Sequence, residues 1–291
     1  MAELHTEVPW KLLSNTMPDD FYDGRLQVHH TLQIVSTAGR TLLPEKADDS
    51  HTNLEWIESV EMLAGHLLSG EDLFRCALDI STLELAILNE SGAVQTRYSM
   101  QGKTLEDGYQ WLLTELNDRS CQPTGLNRPD YEMPEHPVTT GVPVRVENSE
   151  VLSELSRWYA DAHQMLTMIM ESSDDASHVR CWPHHFDIAT LLTVERDSTG
   201  DAAKTIGVGM TPGDGSYQEP YWYVSPWPYP DEWIEPALDG NGLWHTEGWY
   251  GAVLPASRLE ANASPETQAA QVGDFLSSAV SACRTMHRDQ T

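Results

Sequence analysis

The stretch LFRCALDISTLELAILN, residues 73–89, decides the fold class. Phe74, Cys76 and Leu78 alternate with other residues, and Leu83, Leu85 and Ile87 take up the alternation again after Asp79–Thr82. Successive side chains of a strand point to opposite faces, so a period of two on both sides of a short polar link predicts two strands and a tight connection. Strands joined so closely run antiparallel. Upstream, Leu54 and Trp56 show the same period and predict a third strand.

Helical spacing brackets these strands. Val28, Leu32 and Val35 fall on one face of Phe21–Leu43, with Asp20 or Asp23 as N-cap. Leu105, Tyr109, Leu112, Leu113 and Leu116 form the apolar stripe of a helix over Thr104–Asn117, which Thr104 can cap. Residues 119–148 have no periodicity and five prolines, and read as a long connector. Beyond it the order recurs. A helix starts at Ser149 or Ser153, strands follow around 178–195, 205–210, 219–225 and 243–254, and a last helix covers Ser264–Met286. The expectation is an α+β protein of antiparallel sheets flanked by helices. An N-terminal helix-strands-helix half (1–118), the connector and a C-terminal half (149–291) form one compact domain, with an internal duplication around a cleft.

Composition sets further limits. Hydrophobic residues are 40% of 291, enough for a sizeable core. Acidic residues number 45 against 17 basic ones, a net charge of -28, and the only lysines are Lys11, Lys46, Lys103 and Lys204. Such self-repulsion is relieved in concentrated salt, so the chain reads as acidic and halophilic. The carboxylates are spread along the sequence, and no basic patch exists to meet phosphates, which argues against nucleic acid as a partner. The start lacks a charged, apolar leader, and no run approaches about 18 apolar residues, which argues against a membrane. Cys76, Cys121, Cys181 and Cys283 form no CxxC pair, as in a reducing cytoplasm.

Three C-terminal segments stand out: CWPHHFDIA (181–189), GMTPGDGSYQEPYWYVSPWP (209–228) and GWYGAVLPASRL (248–259). They resemble a group of uncharacterised bacterial proteins with W-P-x-H-F-D, P-G-D and E-P-Y-x-Y-V-x-P-W elements. The whole chain is more weakly similar to the family called domain of unknown function 5996. In that resemblance the first helix matches the segment with His29 and Gln33, and Phe186–Asp187 and Glu219–Pro220 lie on later strands. Leu254–Pro255 precedes the closing helix. The resemblance implies a fold and no activity.

If 178–195 is one strand, His185 and Asp187 share a face, and Glu219, Tyr221 and Tyr223 share a face of another. Such a cluster could bind a divalent metal through His185, Asp187 and Glu219, with zinc, manganese or iron suiting imidazole and carboxylate ligands, or do acid–base work. It could equally be a hydrogen-bonded structural cluster. A Cys181–His185–Asp187 triad is excluded, because residues four apart on a strand lie about 13 Å apart. His29 and Gln33, one helical turn apart, form one polar site, and Trp227 belongs to a Trp- and Pro-rich segment that could close a pocket. The leading reading is a small-molecule binding protein or enzyme with an aromatic, histidine and carboxylate cleft. The alternative is a noncatalytic module that meets a protein partner through the Trp/Pro segment.

The charge reading has a direct test. Melting temperature should rise by several degrees between low and molar NaCl, as the screening length falls from about 10 Å at 0.1 M to about 3 Å at 1 M. An unchanged melting temperature contradicts it.

Overall fold

A computed structural model describes residues 9–231 and 233–288. Four long helices and two antiparallel sheets give the α+β class that the periodicities predict. The helices are α1 (Phe21–Leu42), α2 (Leu105–Asp118), α3 (Ser149–Glu171) and α4 (Pro265–Arg288). The chain divides into two compact units, and the division falls inside α3. Among the described residues, the first contains 18–156 and 180–186, and the second contains 9–17, 157–179 and the run from 187 to 288.

In the first unit the strands are β1 (Glu55–Ile57), β2 (Met62–Ala64), β3 (Leu68–Ser69), β4 (Leu73–Asp79), β5 (Glu84–Asn89) and β6 (Val94–Ser99). They pair in the order β1-β2-β4-β5-β6, with β3 also on β4. β4 and β5 form the hairpin read from the sequence, in register from Phe74 opposite Asn89 to Asp79 opposite Glu84. Asp79 Oδ1 closes its turn by accepting from the Ser81 and Thr82 amides at 3.1 and 3.3 Å. Leu83 takes a positive φ of 55°, an uncommon conformation for a branched residue, and its side chain is fully buried. Both faces of the hairpin are apolar. Met62, Ala64, Ala77, Ala86 and Leu88 pack together on the face opposite Leu78, Leu85 and Ile87, a second layer that the alternation alone conceals.

α1 packs on β4 and α2 with Val28, Leu32 and Val35 buried, each worth about 1.5–3 kcal/mol if fully removed from water. Asp20 occupies the N-cap position without a side-chain bond, whereas Thr104 and Asp107 form a reciprocal capping box at the start of α2. The proline-rich connector contains one short 3-10 turn, Pro137–Thr140, and is bound along α1. Gln27 Oε1 accepts from the Arg145 amide at 2.6 Å, Tyr131 donates to Gln33 Oε1, and the His30 ring bonds the Pro134 carbonyl.

The predicted strand at 178–195 is interrupted. β7 (Arg180–Trp182), in the first unit, pairs with the backbone of Leu54 through Cys181. A turn over 183–186 follows, with Phe186 at φ 60°, and β8 (Asp187–Arg196) begins the second unit. Within the second unit β8 pairs with β9 (Ala202–Thr211), and β10 (Tyr221–Trp227), β11 (Leu243–His245) and β12 (Gly251–Pro255) continue the sheet in the order β8-β9-β10-β12-β11. The strand expected at 219–225 thus starts at Tyr221 and leaves Glu219 before it, and the one at 243–254 is two. α4 covers β9, β10 and β12. Trp222, fully buried on β10, lies 6.2 Å from the Trp10 ring and 6.1 Å from the Trp158 ring. Gln268 of α4 ties the N-terminal segment down by accepting from Trp10 Nε1 and the Leu13 amide and donating to the Leu13 carbonyl.

The order helix, strands, helix recurs in the two halves, but the sheet connections differ. The hairpin β1–β2 precedes the meander β4–β5–β6, whereas the hairpin β11–β12 follows the meander β8–β9–β10.

Two helix glycines give substitutions of opposite sign. A Cβ on Gly39 would lie 2.5 Å from the His51 carbonyl oxygen, a backbone atom that cannot yield, while a Cβ on Gly273 meets nothing within 4 Å. Gly39→Ala should cost about 1–3 kcal/mol and Gly273→Ala should gain up to about 1 kcal/mol, read from urea unfolding midpoints.

Candidate functional site

Helical periodicity places His29 and Gln33 on the buried face of α1, and both turn to one acceptor. His29 Nε2 and Gln33 Nε2 each lie 2.8 Å from the Pro183 carbonyl oxygen, in the turn between β7 and β8. A carbonyl only accepts, so the His29 ring carries its proton on Nε2. Phe186 stacks on that ring at 4.9 Å and 9°. Burial pushes the His29 pKa down to about 3, and the hydrogen bond to the Pro183 carbonyl offsets only part of that cost of charging the ring. The sequence-derived pair is therefore one polar site, and its task is to hold a turn.

The turn removes the premise that joined His185 to Asp187. His185 is exposed in the turn, its ring 4.2 Å from that of His184, and Asp187 is the first residue of β8. The shared-face geometry required an unbroken strand, which the positive φ of Phe186 ends.

In the second unit, Tyr223 donates to Asp187 Oδ2 at 2.5 Å and Tyr221 donates to Asp214 Oδ2 at 2.6 Å. Burial first, and then the neighbouring carboxylates, raise both phenol pKa values, so both stay protonated donors. Gly209 makes this packing feasible: a Cβ there would lie 2.6 Å from the Tyr223 ring and hydroxyl. Glu219 accepts from the amide and hydroxyl of Ser257 at 2.6 and 2.8 Å, at the start of the short 3-10 turn Ala256–Arg258. His245 Nδ1 meets the Tyr217 hydroxyl at 3.0 Å. Asp187, Tyr221 and Tyr223 thus lie together, with Asp214 joining from the TPGDG turn. Glu219 is engaged separately. Among the described residues no group of three or more His, Cys, Asp or Glu side chains is arranged to hold a metal ion, so His185, Asp187 and Glu219 are not assembled as a cation site.

Trp227 lies at the end of β10, 62% exposed. It heads a run of edge-on and tilted ring contacts, Trp227–Tyr229–Tyr250–Trp233–Trp244, with centroids 5.0–5.4 Å apart.

A concave site is found in the first unit. A cavity of about 500 Å³ lies beside α1 and the N-terminal turn of α2, under the connector, and is lined by Gln33, His30, Tyr109, Arg128, Met133 and Val138 among others. Its floor is fixed: Gln33 is held by Pro183 and Tyr131, and the His30 ring sits 2.9 Å from the Pro134 carbonyl, its pKa lowered by burial. At the rim the Arg128 guanidinium lies 4.0 Å from the Tyr109 ring centroid and pairs with Glu106 at 2.8 Å. Of these the sequence pointed to Gln33 as a site candidate and to Tyr109 only as part of the apolar stripe of α2. The others had faint signals: His30 adjoins His29, and Arg128 is a lone cation between two prolines.

The chain matches no family model, no curated protein and no solved structure.

The buried histidine makes a pH prediction. The unfolded chain protonates His29 near its ordinary value of 6.5 and the folded chain only near about 3. Its contribution is complete above about pH 6.5 and is lost as pH falls toward 3, by about 1.4 kcal/mol per unit. From pH 7 to 5 the wild type should lose about 2 kcal/mol more stability than His29→Gln, which keeps a donor for Pro183 but does not titrate. Equal losses in urea unfolding refute the assignment.

Proposed function

We propose that this protein binds a small organic molecule in the first-unit cavity beside α1 and α2. The observation that carries the reading is the cavity itself. About 500 Å³ is within the range of small-ligand sites, and apolar Met133 and Val138 stand beside a few fixed polar groups, as in such sites generally. This is not the cleft of His185, Asp187, Glu219, Tyr221 and Tyr223 expected from the C-terminal strands; its histidine, aromatic and carboxylate are His30, Tyr109 and Glu106 of the first unit. The formal charges of its lining cancel: Arg128 is answered by Glu106, and burial keeps His30 neutral. That balance favours an uncharged or zwitterionic ligand, since a net charge would be desolvated without a counter-charge. The ligand would use the Arg128 and Glu106 heads as a donor and acceptor pair. Nothing in this lining supplies an activated nucleophile, and binding is the activity we assign.

A second reading has its own support. The exposed rings of Trp227, Tyr229 and Tyr250 form an aromatic surface in the second unit, of the kind that Trp- and Tyr-rich protein interfaces use.

A metabolite library screened by ligand-observed NMR separates them. Under the pocket reading, neutral or zwitterionic hits bind the wild type, and Met133→Trp, which fills the cavity, weakens them at least about tenfold while the melting temperature stays within a few degrees. Hits unaffected by Met133→Trp, or no hits at all, refute it. Loss of hits in Trp227→Ala with Met133→Trp silent would favour the aromatic surface.

A further inference from the structure

We propose that the second unit carries a separate site for a single-chain amphiphile with an anionic head, in the groove between α3 and α4. The inference does not depend on the first-unit cavity. The groove encloses about 600 Å³, and its walls are Met165, Met168 and Ile169 of α3, Leu192 of β8, and Leu276 and Val280 of α4. Unbranched, flexible methionine side chains suit a site that accommodates a hydrocarbon chain. Gly273, Ser277 and Ser281 recur every fourth residue along α4 on the same lining, which leaves the channel floor low.

The chemistry of one end distinguishes this groove from an ordinary packing defect. Arg284 and Arg288 line it there and also line an adjoining recess of about 370 Å³ with Thr193, Glu195 and His287. In a chain of net charge -28 with 17 basic residues, Lys204, Arg284 and Arg288 converge on this one place. The local carboxylate is already answered, because Lys204 Nζ lies 2.9 Å from Glu195 Oε2 and also donates to the His287 carbonyl at 3.2 Å. Arg284 is exposed and makes no ion pair among the described residues. His287, beside Arg288, is held under the recess. His287 is 1% exposed, its Nε2 faces the Thr205 carbonyl at 3.2 Å, and its buried Nδ1 has no hydrogen-bond partner among the described residues. An apolar channel that ends beside the exposed Arg284 guanidinium matches an alkyl chain ending in a carboxylate or phosphate.

Calorimetric titration of the full chain, below the critical micelle concentration, tests this with dodecanoate, dodecyl phosphate and dodecanol. One anionic probe should bind once per chain, and the stronger of the two identifies the head. Arg284→Ser should weaken that probe about tenfold or more and leave dodecanol unchanged, the usual worth of one charge-assisted bond. Val280→Trp, on a partly exposed wall, should abolish binding of all three; Val280→Phe offers the same block if the larger ring perturbs folding. The proposal is overturned if the folded wild type binds no probe or if Arg284→Ser weakens dodecanol as much as the anion. It also falls if sedimentation shows a dimer that Val280→Trp dissociates, which would make the groove an interface between copies.

Discussion

Two buried side-chain N–H groups, those of His29 and Gln33, converge on a single backbone carbonyl, that of Pro183. Much of the first unit depends on that convergence. It fixes α1 to the turn after β7, and the turn carries Phe186 into a left-handed conformation against the His29 ring. Gln33 then offers its oxygen to Tyr131, so the same side chain holds the proline-rich connector. An unsatisfied polar group in this interior would cost about 1–3 kcal/mol, and so each member of the network constrains the others. The cavity floor is rigid because these obligations leave Gln33 one orientation.

Carboxylates that look available for chemistry in the sequence mostly serve as local acceptors. Asp79 closes the β4–β5 turn, Asp107 completes the α2 capping box, Glu219 receives Ser257, and Asp187 and Asp214 each receive a tyrosine hydroxyl. A strongly acidic chain can use its abundant charge this way. A carboxylate that accepts such hydrogen bonds orients its donor.

The two hollows differ in electrostatic character. The first-unit cavity is balanced, with Arg128 stacked on Tyr109 and paired with Glu106. The groove of the second unit ends in Arg284 and Arg288, against the sign of the protein as a whole. Positive charge kept in one place by a chain with so little of it concentrates the local field where an anion can be met, although the net charge repels anions at long range.

How far the sequence reaches follows from the range of the forces involved. The β4–β5 hairpin, the faces of α1 and α2, the Thr104 cap and the adjacency of His29 to Gln33 rest on neighbours within a few residues, and periodicity states them directly. The pairing of Tyr223 with Asp187 was half legible, since strand parity selected both residues but not the register that joins them. The break at 183–186, the different connections of the two sheets, and the cavity around Arg128 and Met133 were not legible. Each depends on residues distant in sequence. The turn that gives Phe186 its positive φ is closed locally by the Trp182 carbonyl, but its place against α1 is set by Gln33, about 150 positions from Pro183 along the chain. Local spacing determined which residues form helices and strands; packing between remote segments decided where the chain turns and where it leaves room for a ligand, because burial and hydrogen-bond satisfaction are settled in space and not along the sequence.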